Sequence, residues 1–500
     1  MSQTPYQLLE KRFKRIDTLR SIIHLLRWDA EVMMPVGSSG IRGEQLALLD
    51  LECKSILRSK KTALLMDHAE NCAGDLTDWQ QANLREMRRI WVFANTVPRR
   101  LFNSLHRATL KGEIQWRKAV EDDNFRLLVP HLERVVELVR EKAAHLAGRL
   151  GCAPYDALVD EYDPGRRTAE IDTVFHRLNK DLPSLIDETV RRQESVPPLE
   201  IQKPVPVARQ RELGRAVMRQ LGFPFDKGRL DESLHPFTEG TAEDIRVTSR
   251  FSERDILSGL MGVLHETGHA LYDFGLPSEW FLQPVGRDRG MTVHESQALF
   301  LEMMIGRHRK FFQYAAPLIG RTLNVSGPEW EAENLYRLAT RVRKSFIRME
   351  ADELTYPLHV WIRYELEKQM FEGTLSIRNL PEAWNEMVRD TFGLYPETFK
   401  QGCLQDSHWP QGYFGYFPTY VLGAIIASQL YRTLCQEQPE AVDQIPQGNF
   451  ASLFAWLNEK IYRFGAKLST HDLVLQATGK SLSAENYILY LQEKYSPGTA

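Results

Sequence analysis

Apolar residues recur every three to four positions along nearly the whole chain, and this period constrains the fold more than any other feature. "DWQQANLREMRRIWVFANTV" (78–97) and "PHLERVVELVREKAAHLAGRLG" (130–151) each lay an apolar stripe on one face of a helix. The second closes on Gly151, a residue type that readily ends a helix. Strand signals are scarce. The best lies in "GRLDESLHPFTEGTAEDIRVTSRF" (228–251), where two short segments flank a Gly-Thr turn and "IRVTSRF" alternates as a half-buried strand does. The expected fold is mainly α, a large helical body with a small β-sheet.

Five hundred residues are ample for a core and fit one large domain or two to three smaller ones. The proline-rich "SVPPLEIQKPVPVARQ" (195–210) reads as a loop, so sub-lobes 1–195 and 210–500 are possible. No polar low-complexity linker and no fixed repeat appear, which favours a single domain over 1–500.

A formal charge of -3 gives no bulk field toward nucleic acid or anionic membrane, so neither is expected as a partner. "MSQTPYQLLEKRFKRID" lacks the apolar run of a secretory signal, and a cytoplasmic location is expected. The longest apolar stretch, "FPTYVLGAIIASQLY" (417–431), is too short and interrupted to span a bilayer and reads as a buried helix. Five scattered cysteines, none in a CxxC pair, read as reduced structural thiols.

The chemistry concentrates in "HETGH" (265–269). "DILSGLMGVLHETGHALYDF" (255–274) reads as a helix with Ile256, Leu260, Val263, Leu264 and Leu271 on its apolar side, and Gly275 and Pro277 follow its end. Residues four apart share a face, so His265 and His269 can converge on one ion. Glu266 is turned just enough to reach water at that ion without being a ligand. The bland alternative, two unrelated histidines on a helix, weakens if a third ligand exists. A histidine six residues after His269 would make the site a metzincin, but that position is Gly275.

The remaining solution, the gluzincin one, is a glutamate on a following helix. "GMTVHESQALFLEMMIGRH" (290–308) offers Glu295 and Glu302, seven apart and both admissible. Spacing favours Glu295, nearer the start of its helix. His294 points elsewhere and suits a supporting or groove position. Two imidazoles, one carboxylate and an open fourth position describe a catalytic zinc rather than a structural one, although cobalt suits the same donors. Water at such a metal is acidified to a pKa of about 7, and Glu266 can take its proton and pass it to the departing amine. The expected reaction is hydrolysis of a peptide bond.

These residues resemble the carboxypeptidase Taq family of zinc metallocarboxypeptidases. Its segments stand here in order: "HPF" at His235, "DIRVT" at Asp244, "HETGH" at His265, "HESQ" at His294, "IRMEADELTY" at Ile347 and "GCLQDSHW" at Gly402. The similarity extends from "LRWDAEVMMP" to "GYFGYFPTYVLG". It implies a helical fold with a deep active-site groove, a homodimer, broad removal of single C-terminal residues, and His265, His269 and Glu295 as metal ligands. One departure follows "HESQ", where Ala298, Leu299 and Glu302-Met303 replace the family's usual residues.

An exopeptidase must also fix the substrate's terminal carboxylate, and the planar fork of arginine suits that task. Arg348 and Arg246 are the candidates. Arg348 and Asp352 are four apart, so the competing reading is an ordinary helix ion pair. His235 and His408 can hydrogen-bond substrate backbone or a developing oxyanion; the plainer reading is two buried, satisfied histidines. The hydroxyl of Tyr416 or Tyr420 is a further oxyanion candidate, with Tyr420 kept as a substrate-binding residue. Gln405 and Asp406 can orient their neighbours. Two rivals remain at this level: a thimet-type zinc oligopeptidase, which would cut C-terminally blocked peptides, and a helical scaffold without catalysis, which would have no use for Glu266.

Overall fold

The computed structural model describes residues 3–496, which hold twenty α-helices and one three-stranded sheet. The chain forms two compact units, each assembled from three stretches. The first takes residues up to Asn95, Pro198–Ala339 and Ile426–Leu482; the second takes Thr96–Pro197, Thr340–Ile425 and the residues from Ser483 onward. Of the proline-rich stretch 195–210 expected as a loop, residues 196–206 have no regular structure and join the helices Thr168–Ser195 and Val207–Gln220, while its last four residues open the second helix.

In the first unit the helix Ile256–Phe274 carries the HETGH residues. Asp255 caps it by accepting from the Ser258 amide at 3.0 Å. Gly275 stands at its end. Ile256, Leu260, Val263 and Leu264 are buried as expected and Leu271 is half-buried, yet the helix is buried much further around, with Glu266, Thr267, Gly268 and His269 all buried. Gly268 has a specific task. A Cβ there would lie 2.5 Å from the Gln297 carbonyl oxygen and 2.7 Å from the Ala298 Cα, so only glycine lets the HESQ helix, Met291–Leu299, approach so closely. Past Leu299 the chain continues as a π-helix, Phe300–Gly306.

The sheet is richer than the sequence indicates. Three strands form, β1 (Gly228–Glu232), β2 (Phe237–Thr241) and β3 (Asp244–Ser249), in the order β1-β3-β2. Strand β2 runs antiparallel to β3, but the turn between them is Ala242-Glu243, since Gly240 and Thr241, expected in the turn, end β2 paired with Ile245 and Asp244; β1 pairs with β3 in parallel. The first of the two expected segments is divided by Leu234–Pro236, where proline lacks the N–H a ladder needs. Leu230, Ile245 and Val247 are fully buried and pack in one cluster with Val263 and Ala270, which seats the sheet on the HETGH helix.

The second unit is helical among the described residues. Two irregular stretches carry sequence-predicted site residues, Arg348 and His408. Between Thr340 and Thr355 the one helical turn is a 3-10 turn, Arg348–Glu350, and residues 393–417 contain no regular element. The apolar stretch after Phe417 is the expected buried helix, Pro418–Glu437, with Val421, Leu422, Ile425 and Ile426 at 1% exposure or less. No helix among the described residues is long and apolar enough to cross a membrane. None of the five cysteines forms a disulfide.

Candidate active site

One turn of helix separates His265 from His269, and their rings meet edge to face with centroids 5.0 Å apart. The HESQ helix brings Glu295 against both. Its Oε2 lies 3.9 Å from His265 Nε2 and 3.6 Å from His269 Nε2, and the three donor atoms all fall within 4.8 Å of one another. Tetrahedral donors about 2.1 Å from a metal sit roughly 3.4 Å apart. These residues therefore fit a divalent metal with little adjustment. The third donor comes from Glu295, the residue that spacing favoured.

Glu302 does a different job. Seven residues amount to about 10 Å of helix rise, so it cannot share an ion with Glu295. Instead its Oε2 accepts from His265 Nδ1 at 3.0 Å, while its other oxygen holds Arg307 at 2.7 Å. Arg307 in turn donates to the Ala339 carbonyl at 3.1 Å. This hydrogen bond fixes the His265 tautomer with Nε2 facing the donors. Around His269 the support is a ring: His294 stacks on it at 4.2 Å and 13°, and is itself tethered to Asp273 at 3.3 Å.

Burial pulls the metal-free His265 imidazole down, but Glu295 and Glu302 outweigh it and lift it to about 10. His269 moves the opposite way, through burial and its neighbours His294 and His265. Burial would raise Glu302, yet Arg307 and His265 bring it to about 2, so it is charged at every working pH. Glu266 is raised, chiefly by burial. Its Oε2 accepts from the Thr238 hydroxyl at 2.7 Å. Thr238 lies on β2, which explains why the small sheet accompanies this helix.

In the second unit Asp406 is the centre of a buried cluster. Arg348 Nε and Nη2 reach its Oδ1 at 3.1 and 2.8 Å, and Arg363 Nε reaches Oδ2 at 2.5 Å. Gln405 Oε1 accepts from the Arg348 amide at 2.9 Å and from Arg363 Nη2 at 2.5 Å. Burial alone would raise Asp406, but the two guanidiniums hold it well below the usual carboxylate range. His408 is pushed down to about 4 by burial and the same arginines, and stays neutral. Its Nε2 lies 3.4 Å from the Tyr420 hydroxyl, and the Tyr420 ring underlies Arg348 at 5.1 Å. Two guanidiniums facing one carboxylate leave one positive charge uncompensated. A substrate carboxylate would neutralise it.

The helix ion pair considered for Arg348 does not form. Arg348 sits in a 3-10 turn, and Asp352 caps the backbone instead, accepting from the amides of Arg343, Leu354 and Thr355 at 2.9 to 3.0 Å. Arg246 is engaged elsewhere: it grips Asp244 through two hydrogen bonds at 3.1 and 2.9 Å and lies over Trp28 at 4.2 Å. His235 is exposed and not a buried core histidine. Tyr416 packs edge-on against Tyr162 at 5.0 Å and beside His408 at 5.6 Å. Arg363 and Thr238 escaped the sequence reading. An arginine inside the apolar "LHVWIRYEL" was the available signal for Arg363, whereas Thr238 carried none.

A helical metallohydrolase built around an HExxH helix is the class that this fold and site define. The chain matches the family model of carboxypeptidase Taq (M32) metallopeptidases over residues 8–495. It is 34% identical over 505 residues to thermostable carboxypeptidase 1 of Thermus thermophilus, covering 99% of each chain. It is 32% identical over 492 residues to carboxypeptidase 1 of Bacillus subtilis, covering 97% of this chain and 98% of that one. Among solved structures, metallocarboxypeptidase 1 of Trypanosoma cruzi superposes with a TM-score of 0.96 at 38% identity, covering 98% of this chain and 99% of that one. The M32 carboxypeptidase of Deinococcus radiodurans gives 0.94 at 30% identity, covering 99% of each. The chain belongs to the carboxypeptidase Taq family of metallopeptidases. It is a metallocarboxypeptidase, a hydrolase whose substrates are peptides and whose chemistry uses a divalent metal.

Proposed function

We propose that His265, His269 and Glu295 hold a zinc ion, that Glu266 is the general base and acid, and that Arg348 fixes the free carboxylate of the peptide. The observation that carries this reading is the convergence of three donor atoms within 4.8 Å beside a buried Glu266. When bound, zinc supplies Lewis-acid chemistry and lowers the pKa of water it holds toward about 7. Thr238 occupies Glu266 Oε2, which leaves Oε1 to take the proton of the attacking water and return it to the departing amine nitrogen. Burial raises Glu266 toward the working pH, which suits a group that must accept and then release a proton.

Arg348 makes no hydrogen bond through Nη1 among the described residues, so that nitrogen is available to an anion while Asp406 holds the other two. Arg363 and Gln405 position the pair, and Tyr420 and His408 flank it. Arg246, whose guanidinium already grips Asp244, and exposed His235 are the remaining proposed substrate contacts. We propose a cytoplasmic homodimer with neither nucleic acid nor membrane as partner, a reading supported by the near-balanced charge and the family resemblance. Cobalt satisfies the same donors. The test is a mixed peptide library with free and amidated C-termini, read by mass spectrometry against zinc-loaded and chelated protein. Single residues should leave free-ended peptides only. In the variant Arg348→Ala, kcat/KM on free-ended peptides should fall about 10- to 150-fold with metal content intact. Cleavage of amidated peptides at internal bonds would overturn the exopeptidase assignment.

A further inference from the structure

Arg348 lies in a stretch, Thr340 to Thr355, whose only helical turn spans three residues, so its position depends on side-chain ties rather than on a backbone ladder. Some ties are local to the arginine: Gln405 accepts from its amide and donates to the Phe346 carbonyl at 3.0 Å. The tie five residues on, at Glu353, is made by a part of the chain far away in sequence. The Glu353 carbonyl accepts from the Tyr487 hydroxyl at 2.7 Å. Its fully buried carboxylate accepts from Lys494 Nζ at 2.8 and 2.9 Å and from the Tyr495 hydroxyl at 3.1 Å. Tyr490 steadies the same ammonium at 2.9 Å.

Residues 487, 490, 494 and 495 share one face of the C-terminal helix Ala484–Tyr495. Its C-terminal end is tied down as well, since Thr189 and Arg192 of the helix Thr168–Ser195 both donate to the Tyr495 carbonyl. A buried ion pair adds little stability over apolar residues of the same volume, but removing one partner is costly, so such a pair specifies position. Three groups bonded to one residue of an irregular stretch, with a fourth on its counter-ion, therefore look to registry. We infer that the C-terminal helix is a positioning element for substrate binding: Lys494 and Tyr487, through Glu353, hold the stretch that presents Arg348 to the terminal carboxylate. The inference rests on the reading of Arg348 as the carboxylate anchor.

The test compares Lys494→Met, Tyr487→Phe and Arg348→Ala in the full-length, metal-loaded enzyme, on peptides with free and amidated C-termini. Lys494→Met should raise KM on free-ended peptides by about 10-fold, in keeping with a misplacement of roughly 1 Å at a positioning group. Its kcat and metal content should stay near parental, and preference for free over amidated ends should shrink with the KM change. Tyr487→Phe leaves the ion pair and the packing in place and should move KM the same way by about 3-fold, which keeps the test decisive should Lys494→Met fail to fold. Combining Lys494→Met with Arg348→Ala should add nothing further to KM. Parental KM and preference in both helix variants, with preference lost in Arg348→Ala, would overturn the inference alone. Preference that survives Arg348→Ala would remove the anchor and the inference with it. A fall in kcat and metal content in Tyr487→Phe, in place of a selective rise in KM, would also overturn it, since that marks a general loss of structure.

Discussion

Removing the Glu302 carboxylate tests whether that residue tunes the metal site or belongs to it. Glu302 touches no other donor of the cluster; it accepts from His265 Nδ1 at 3.0 Å and holds Arg307 at 2.7 Å. Glu302→Ala therefore removes the group that fixes the imidazole tautomer, a change that typically costs 10- to 100-fold in metal affinity, or about 1.4 to 2.7 kcal/mol. A second effect opposes the first. In the metal-free site His265 is lifted to about 10, partly by Glu302, so a proton competes with the metal at neutral pH. The sign is fixed: below pH 10 metal binding must expel that proton, and apparent affinity drops by about tenfold per pH unit as pH falls. Without Glu302 the imidazole is less basic, so the variant loses less to protons. Its deficit should be smaller at pH 7 than at pH 9, where the proton competes about a hundredfold less strongly in the parent. Zinc titration against a competing chelator at both pH values gives the dissociation constants. Glu295→Ala, which deletes a donor outright, should lose more than 100-fold. Affinity of Glu302→Ala within 3-fold of parent at pH 9 would refute the supporting role, and a loss equal to that of Glu295→Ala would make Glu302 a ligand.

Glu266→Gln should retain the metal and lose at least about 100-fold in kcat, since the amide cannot take a proton from water; near-normal turnover of the metal-loaded variant would end its role as base. Fully buried Glu367 accepts from the Tyr155 hydroxyl, the Trp409 indole and the Gly415 amide at 2.5 to 2.7 Å. Glu367→Gln sets an amide NH2 against these donors and should cost about 1 to 3 kcal/mol in urea unfolding, where an unchanged midpoint would count against the three-donor account. Burial pushes His359 down to about 3 and His408 down to about 4. Both stay neutral when folded and take up protons near pH 6.5 when unfolded, so stability should fall between pH 7 and 5 by up to about 2 kcal/mol per histidine. His359→Phe should lose less over that interval than the parent, and parallel pH curves would show that His359 is not the cause.

The candidate donor cluster was legible because its geometry is mostly local. An i, i+4 pair on one helix converges whatever surrounds it, so His265 and His269 could be placed from spacing, and Glu295 followed from the short return to the next helix. What spacing leaves out is which partner a side chain chooses across the fold. Arg348 and Asp352 sit at helical spacing, yet Asp352 spends its oxygens on the amides of Arg343, Leu354 and Thr355, so no helix forms there and Arg348 turns to Asp406, 58 positions on. Arg363 is hidden for the same reason: inside an apolar helix it gives no periodic signal, and its partner lies 43 positions away. The parallel pairing of β1 with β3 likewise depends on a chain crossing that no local pattern records. Glu302 shows the limit most clearly. The sequence offered it as a rival ligand at a spacing of seven, and only the fold shows that Glu302 meets His265 Nδ1 while Glu295 lies beside the Nε2 atoms of both histidines. Chemistry confined to one helix face can be read from a period. Chemistry that depends on a buried charge finding its counter-charge requires the fold.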